Sequence, residues 1–319
     1  RRQYVYRGSE SRPRTDAASG SDLRRRAVVM IRRNAMKVAM TNIRLIWRGA
    51  QRGVTLLVLL AVAVALPLLS SCRQRQEDTT LSDACQALAA ERYAEVQTLT
   101  EQYLRQRPDD IDALLLNGYS VQVTASDRGA RSKAIFNLDR ATNLAPSRYD
   151  AWYVYGWVLY ENARYEDAMK ALEKAEALIV DLKTPSSSDQ ALLANARFLI
   201  GRCCMHSNLP KGLAYLQVLR LQEPYRRWPE LYNTMAILSL KQGLYSNALG
   251  WLGEGLRLEP NNTGLLRNIA VVYDIYLANP RLARMFYVRA LGTLGQDGSE
   301  AAVHREQIMR RLRQLPRER

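Results

Sequence analysis

The feature that most constrains the fold is a unit of about 34 residues that recurs between residues 82 and 296. Each copy contains two amphipathic runs with apolar residues at helical spacing. In four copies a proline follows the second run, where it ends a helix because it lacks the backbone N–H. These prolines are Pro108, Pro146, Pro224 and Pro260. The repeat predicts an all-α chain in which successive helix pairs stack on one another.

The clearest copy spans residues 151–178 and alternates large and small side chains on both helices. Small residues let two helix backbones approach closely, and large residues fill the remaining gaps. The pattern comprises Trp152, Tyr155, Gly156 and Leu159 on the first helix, and Tyr165, Ala168, Leu172 and Ala175 on the second. It resembles the tetratricopeptide repeat (TPR), a helix-turn-helix unit. The resemblance implies an all-α TPR solenoid of about six repeats over 82–296. A plain helical bundle with coincidental spacing is the alternative.

Residues 297–319 are predicted to form a last amphipathic helix that caps the stack. The apolar side chains expected against the stack are Val303, Ile308, Leu312 and Leu315. The side chains expected in water are Arg305, Arg310, Arg311 and Arg313.

An uncharged apolar run at 54–69 precedes the repeats. Arg44, Arg48 and Arg52 give it the positive flank of a secretory signal, and the ending Leu69-Ser70-Ser71-Cys72 resembles a bacterial lipobox. That resemblance implies a lipoprotein signal peptide at 40–71, cleavage before Cys72 and acylation of this cysteine. Multiple acyl chains anchor a protein durably. Because Arg73 rather than aspartate follows, the resemblance favours the outer membrane. An uncleaved signal-anchor helix in the inner membrane and a buried helix are the alternatives.

Most of the basic charge lies upstream of the repeats. Residues 1–52 contribute +11 of the formal net charge of +15, which leaves +4 for residues 72–319. The balance gives little support to nucleic-acid binding. We interpret 1–39 as upstream translation or a disordered extension, Met40 as the start of the signal peptide, and 72–81 as the lipidated cysteine with a polar linker.

The repeats contain no recognisable constellation for catalysis. Cys203 and His206 have a metal-ligand spacing, but no second Cys/His pair completes a zinc site. No glycine-rich phosphate loop occurs, and the pair Asp109-Asp110 is interpreted as a helix cap. We therefore predict no enzyme activity, cofactor, metal or small-molecule substrate. Cys203 and Cys204 are expected to be buried, unpaired residues.

The TPR resemblance implies that four positions of each first helix line a concave groove. The set is rich in aromatic residues, which are favoured at interaction hot spots together with arginine. The predicted groove residues are Leu115, Tyr119, Tyr153, Trp157, Tyr160, Phe198, Arg202 and Met205. Gln122 joins Leu115 and Tyr119 in the second repeat, and polar positions follow toward the C-terminus at Asn233, Arg267 and Asp274. We expect the groove to hold an extended or helical segment of a protein partner. Packing of these rings on neighbouring helices and self-association are the alternatives.

Together these features predict a membrane-anchored periplasmic TPR adaptor or scaffold. Its expected role is assembly of an envelope complex for secretion, pilus formation, outer-membrane biogenesis or uptake. A periplasmic chaperone that holds many clients is a second possibility, an anchored inner-membrane TPR protein a third, and a regulatory subunit of an enzyme a fourth.

Overall fold

The computed structural model describes residues 79–294 and 299–316, and these residues form only helices and the turns between them. Thirteen α-helices, α1 to α13 in chain order, lie in the described ranges. Their bounds are Thr79–Ala89, Tyr93–Gln106, Ile111–Thr124, Arg128–Leu144, Tyr149–Glu161, Tyr165–Val180, Ser187–Cys203, Leu209–Arg220, Pro229–Lys241, Tyr245–Leu258, Thr263–Val271, Pro280–Thr293 and Ser299–Gln314. Short 3₁₀ turns occupy Cys204–His206 and Tyr225–Arg227, and a π-helical turn occupies Val272–Tyr276.

The described residues form two compact units. The N-terminal unit ends at Cys203 and contains the pairs α1–α2, α3–α4 and α5–α6, followed by α7. The C-terminal unit begins at Cys204 and contains α8, the pairs α9–α10 and α11–α12, and the last helix α13. The predicted series of helix pairs is therefore confirmed.

Close approach within each pair depends on the small residues of the repeat. A Cβ placed on Gly156 of α5 would lie 2.7 Å from Cγ of Leu172 on α6, nearer than carbon atoms pack. Gly118 of α3 has the same relation to Leu138 of α4, at 2.6 Å. Both leucines are fully buried. The glycines therefore set the distance at which the two helices of a pair pack.

The ends of the helices follow the predicted signals. Helix α2 stops at Gln106 and α4 at Leu144, each two residues before its proline. The carboxylate of Asp110 accepts a hydrogen bond from the backbone N–H of Ala113 at 3.0 Å, which confirms this residue as the cap of α3. Cys203 and Cys204 are buried, as expected.

Helix α13 differs from the prediction in two side chains. Ile308 and Leu315 are buried, but Val303 is 51% exposed. The reason is angular, because Val303 lies about 140° around the helix from Ile308 and so misses the apolar stripe. Arg311 lies only about 60° from Ile308. Instead of facing water, its guanidinium forms a bidentate pair with Asp274, at 2.5 and 2.6 Å.

Within the described ranges, no helix is both long and apolar enough to cross a membrane. Several predictions concern residues outside these ranges. They are the 1–39 extension, the signal peptide at 40–71, the acylation of Cys72 and most of the polar linker.

Candidate functional site

The predicted groove residues of the N-terminal unit lie on three first helices of successive pairs. Helix α3 carries Leu115 and Tyr119, α5 carries Tyr153, Trp157 and Tyr160, and α7 carries Phe198 and Arg202. Met205 lies in the 3₁₀ turn of the C-terminal unit, where its carbonyl accepts a hydrogen bond from Lys241 at 2.8 Å. The other seven residues belong to one unit.

Most of these side chains are buried. Leu115, Tyr119, Tyr153, Tyr160 and Phe198 are each between 2% and 9% exposed. These side chains pack within the helix layer, which is the arrangement expected if the aromatic residues serve internal packing. Trp157 and Arg202 are partly exposed. The surface that another molecule can reach in this unit is therefore smaller than the sequence pattern predicts.

A row of aromatic rings supports Trp157 from one side. Its indole lies 5.3 Å from the ring of Tyr119 between centroids, and Tyr119 lies 6.4 Å from Tyr93. These are the tilted geometries that aromatic pairs favour. Tyr93 begins α2, a second helix of its pair, so the rule for first-helix positions did not include it. Its only sequence signal is an aromatic residue at the start of a second helix.

The guanidinium of Arg202 packs over two aromatic rings. Its guanidinium carbon is 4.9 Å from the ring centre of Tyr160 and 5.9 Å from that of Phe198. Both distances are within the range of a cation–π interaction. Among the described residues, no carboxylate lies at ion-pair distance from this guanidinium. The ring faces hold the cation in place while its N–H groups stay available for an acceptor.

Ion pairs and a hydrogen bond align α3, α5 and α7, the helices that carry these residues. Arg148, which precedes α5, binds Asp112 of α3 at 2.6 Å and Asp150 of α5 at 2.6 Å. Burial by itself would lower the pKa of Arg148, but the hydrogen bonds and charges of the two aspartates raise it above its ordinary value. The hydroxyl of Tyr149 donates to Asp189 of α7 at 2.7 Å. Adjacent residues thus link α5 to the first helices on either side.

A buried polar relay adds to this alignment. Asn117 of α3 donates to the hydroxyl of Thr100 at 2.8 Å and accepts from Asn137 of α4 at 2.7 Å. On the same helix, the side chain of Gln122 accepts a hydrogen bond from Asn162 at the end of α5, at 2.8 Å. The position of Gln122 on the predicted groove is therefore used for contact between repeats.

In the C-terminal unit, helix α13 contacts two of the predicted groove residues, Arg267 of α11 and Asp274 of the π-helical turn. Arg267 binds the side chain of Gln307 at 2.8 Å and approaches His304 at 3.3 Å. Asp274, whose side chain is 3% exposed, is paired with Arg311. The hydrogen bond to Asp274 and its charge raise the pKa of Arg311. Arg267 and Asp274 therefore bind the last helix of this chain.

Within the described residues, no group of three or more His, Cys, Asp or Glu side chains is placed to hold a metal ion. The arrangement in the N-terminal unit is suited to binding. It offers an indole and a guanidinium on rigid aromatic supports.

Comparison with solved structures shows the fold. PilW, a type IV pilus biogenesis factor, is 16% identical and matches 72% of this chain and 96% of its own at a TM-score of 0.57. PilF of Pseudomonas aeruginosa is 15% identical and matches 73% of this chain and 96% of its own at 0.52. YrrB, a TPR protein with an unusual peptide-binding site, is 17% identical and matches 65% of this chain and 97% of its own, at a TM-score of 0.45 that adds nothing further.

No protein-family model matches the chain, and no curated protein matches it. At identities this low, the structural likeness establishes the fold alone. The chain has the all-α fold of a TPR solenoid, as the repeat predicted.

Proposed function

We propose that this chain is a membrane-anchored periplasmic adaptor that holds a segment of a protein partner at the surface formed by Trp157 and Arg202. The observation that carries the proposal is the presentation of these two side chains. They occupy the same first-helix position in consecutive repeats, they are partly exposed, and buried aromatic rings support both. Tryptophan and arginine are among the residues that are enriched at binding hot spots.

The surface also indicates what the partner segment carries. The guanidinium of Arg202 has no carboxylate partner within the described ranges, and a planar guanidinium of this kind can bind a carboxylate in bidentate fashion. The partly exposed indole of Trp157, at the same position of the preceding repeat, offers apolar area and one N–H donor. We therefore expect an extended or helical segment with an acidic side chain next to an apolar one.

The membrane anchor belongs to the same proposal, and it is supported by the lipobox-like ending at Cys72. An acylated Cys72 places the repeats in the periplasm, and we propose the outer membrane as the site of attachment. One structurally similar protein, PilW, is a type IV pilus biogenesis factor, and a role of this chain in envelope assembly is consistent with that likeness. Mass spectrometry of the N-terminal peptide tests acylation, and an unmodified Cys72 would contradict this part of the proposal.

Photo-crosslinking in living cells tests the partner. A photoreactive amino acid at position 157 is expected to give one dominant protein adduct. The control is the same amino acid at position 136, where Phe136 is 64% exposed on a second helix of the same unit. An equal yield of the same adduct at 136 would contradict the site. A broad mixture of adducts at 157 would indicate a chaperone with many clients.

Substitutions then measure the contribution of each side chain. Trp157→Ala is expected to weaken binding of the crosslinked partner by about 30-fold, the effect of losing a hot-spot residue. Arg202→Gln keeps hydrogen-bonding capacity but removes the charge, and its effect is expected to diminish when the partner's acidic residue is also neutralised. Tyr153→Ala is unsuitable, because its buried ring stabilises the unit. Unchanged affinity in both Trp157→Ala and Arg202→Gln, with the helical content intact, would refute the proposed surface.

A further inference from the structure

A second exposed surface lies on the C-terminal unit, at the turns that join the helices of its pairs. We call it the turn edge and define it as Lys241, Leu244, Ile275, Leu277 and Arg281. The three aliphatic side chains are 43%, 48% and 41% exposed. Lys241 and Arg281 are exposed as well. Large aliphatic residues grouped on a surface in this way indicate an interaction site rather than isolated exposure.

The two turns that carry these side chains are in contact. Leu244 ends the turn before α10 and is followed by Tyr245, while Ile275 and Leu277 flank Tyr276. The rings of Tyr245 and Tyr276 lie 5.1 Å apart between centroids. The tyrosine pair therefore joins the two turns into one continuous apolar surface.

An extra residue in the second turn explains why Ile275 points outward. At the first turn, the N–H of Leu244 donates to the carbonyl of Ser239, five residues earlier. At the second turn, the N–H of Asn279 donates to the carbonyl of Tyr273, six residues earlier, at 2.7 Å. The π-helical turn Val272–Tyr276 absorbs this added residue. Such insertions occur frequently at functional sites.

The charge around the turn edge has one sign. Residues 204–211, 241–246 and 275–281 contain no aspartate or glutamate. The adjacent Asp274 is buried and bound to Arg311. Arg284 donates to the carbonyls of Leu312 and Leu315, so the end of α13 packs beside the start of α12 and adds the exposed Arg313 nearby.

We propose that the turn edge contacts the surface of a bilayer that contains anionic phospholipid. The aliphatic side chains enter the boundary between headgroups and acyl chains, and Lys241 and Arg281 meet the phosphates. The aliphatic side chains project from separate turns instead of lining a groove, so the surface suits a soft, flat layer better than a helix of a protein. The proposal relies on the proposed anchor only for bringing a membrane near; the contact itself depends on the C-terminal unit.

Lipid photo-crosslinking tests the contact on the full chain, reconstituted in vesicles of phosphatidylethanolamine and phosphatidylglycerol. A photoreactive amino acid at position 277 is expected to give at least about ten times more phospholipid adduct than the same amino acid at position 221. Leu221 is the matched control, because it lies in the same unit and is 76% exposed. It directly follows α8, at the end of a helix pair that lies opposite the turn joining the two helices. Because each cation near an anionic surface adds attraction, Lys241→Ala and Arg281→Ala are each expected to lower the yield at 277 about fivefold.

Several results would overturn the proposal. They are equal lipid adduct at 277 and 221, a yield at 277 that is unchanged in vesicles of phosphatidylcholine alone, or adducts to a second copy or another protein in place of lipid. Far-UV circular dichroism checks that each variant is folded. A missing acyl group on Cys72 or a missing partner adduct at 157 would instead count against the proposed function, so the two failures are distinguishable.

Discussion

Replacing Gly156 by alanine tests whether one missing side chain sets the spacing of a helix pair. The new Cβ would lie 2.7 Å from Cγ and 2.9 Å from Cδ2 of Leu172, and 3.2 Å from the backbone carbonyl of Ala168. Carbon atoms pack at about 3.5–4.0 Å, so the leucine must move by about 1 Å in a fully packed layer. The carbonyl also belongs to α6, and as part of the backbone it cannot rotate away from the new methyl group as a side chain can.

The expected magnitude combines two opposing effects. Overpacking of a core costs about 1–3 kcal/mol. Replacing glycine within a helix gains about 1 kcal/mol. We therefore expect Gly156→Ala to lower the free energy of unfolding by about 1 kcal/mol. Gly250→Ala is the control, because no atom lies within 4 Å of its added Cβ, and it should raise stability by up to about 1 kcal/mol.

A double-mutant cycle with Leu172 makes the test specific. Leu172→Ala should cost about 3 kcal/mol through the cavity it leaves. In the double variant the methyl group added at position 156 occupies part of that cavity, so the combined loss should be at least about 1 kcal/mol smaller than the sum. Urea unfolding followed by far-UV circular dichroism measures all three variants. Additivity within about 0.5 kcal/mol, or a stabilising Gly156→Ala, would refute the steric account.

Three further predictions concern hydrogen-bonded side chains. Arg311→Leu removes the cation from the buried carboxylate of Asp274, although the hydroxyl of Tyr287 still donates to it at 3.2 Å. Amide exchange in α13 should therefore accelerate about 30-fold, and unchanged exchange would exclude the pair of Arg311 and Asp274 as the main attachment. Burial and then the charge of Asp139 raise the pKa of Tyr155 to about 12. The folded state keeps the hydroxyl proton of Tyr155 to a higher pH than the unfolded state does. The stability of the folded protein should therefore fall as the pH rises from about 10 to about 12. Thermal melts should show a smaller loss of stability over this pH range for Tyr155→Phe. Asn117→Ala removes the centre of the polar relay and should cost about 2 kcal/mol in urea unfolding; a loss below about 0.5 kcal/mol would contradict its role.

The predicted groove shows where the repeat pattern stops being informative. Tyr153 and Trp157 both occupy groove positions of α5, yet Tyr153 is buried and Trp157 is partly exposed. The pattern gives each residue an angle around its own helix. Exposure depends also on how closely α3 and α7 approach, and that distance depends on contacts such as the pairs of Arg148 and Tyr149 with aspartates on those helices.

The turn edge and the attachment of α13 were not predicted for a related reason. The added residue that produces the π-helical turn changes the local spacing by only one position, which repeat alignment absorbs as an irregular copy. Arg311 has the composition of a solvent-facing residue, and its pairing depends on Asp274, 37 positions earlier in the chain. Sequence periodicity contains no information about pairs so distant.

By itself, the sequence determined the all-α class, the series of helix pairs, the positions where the helices end and the presence of a last amphipathic helix. These features depend on local physics, since proline, glycine, capping residues and apolar periodicity act within a few residues of one another. The tertiary structure decided which aromatic rings are reachable, which groove positions α13 occupies and which turns expose aliphatic side chains. Those outcomes depend on distances between helices that are remote in sequence, and such distances exist only once the helices have packed.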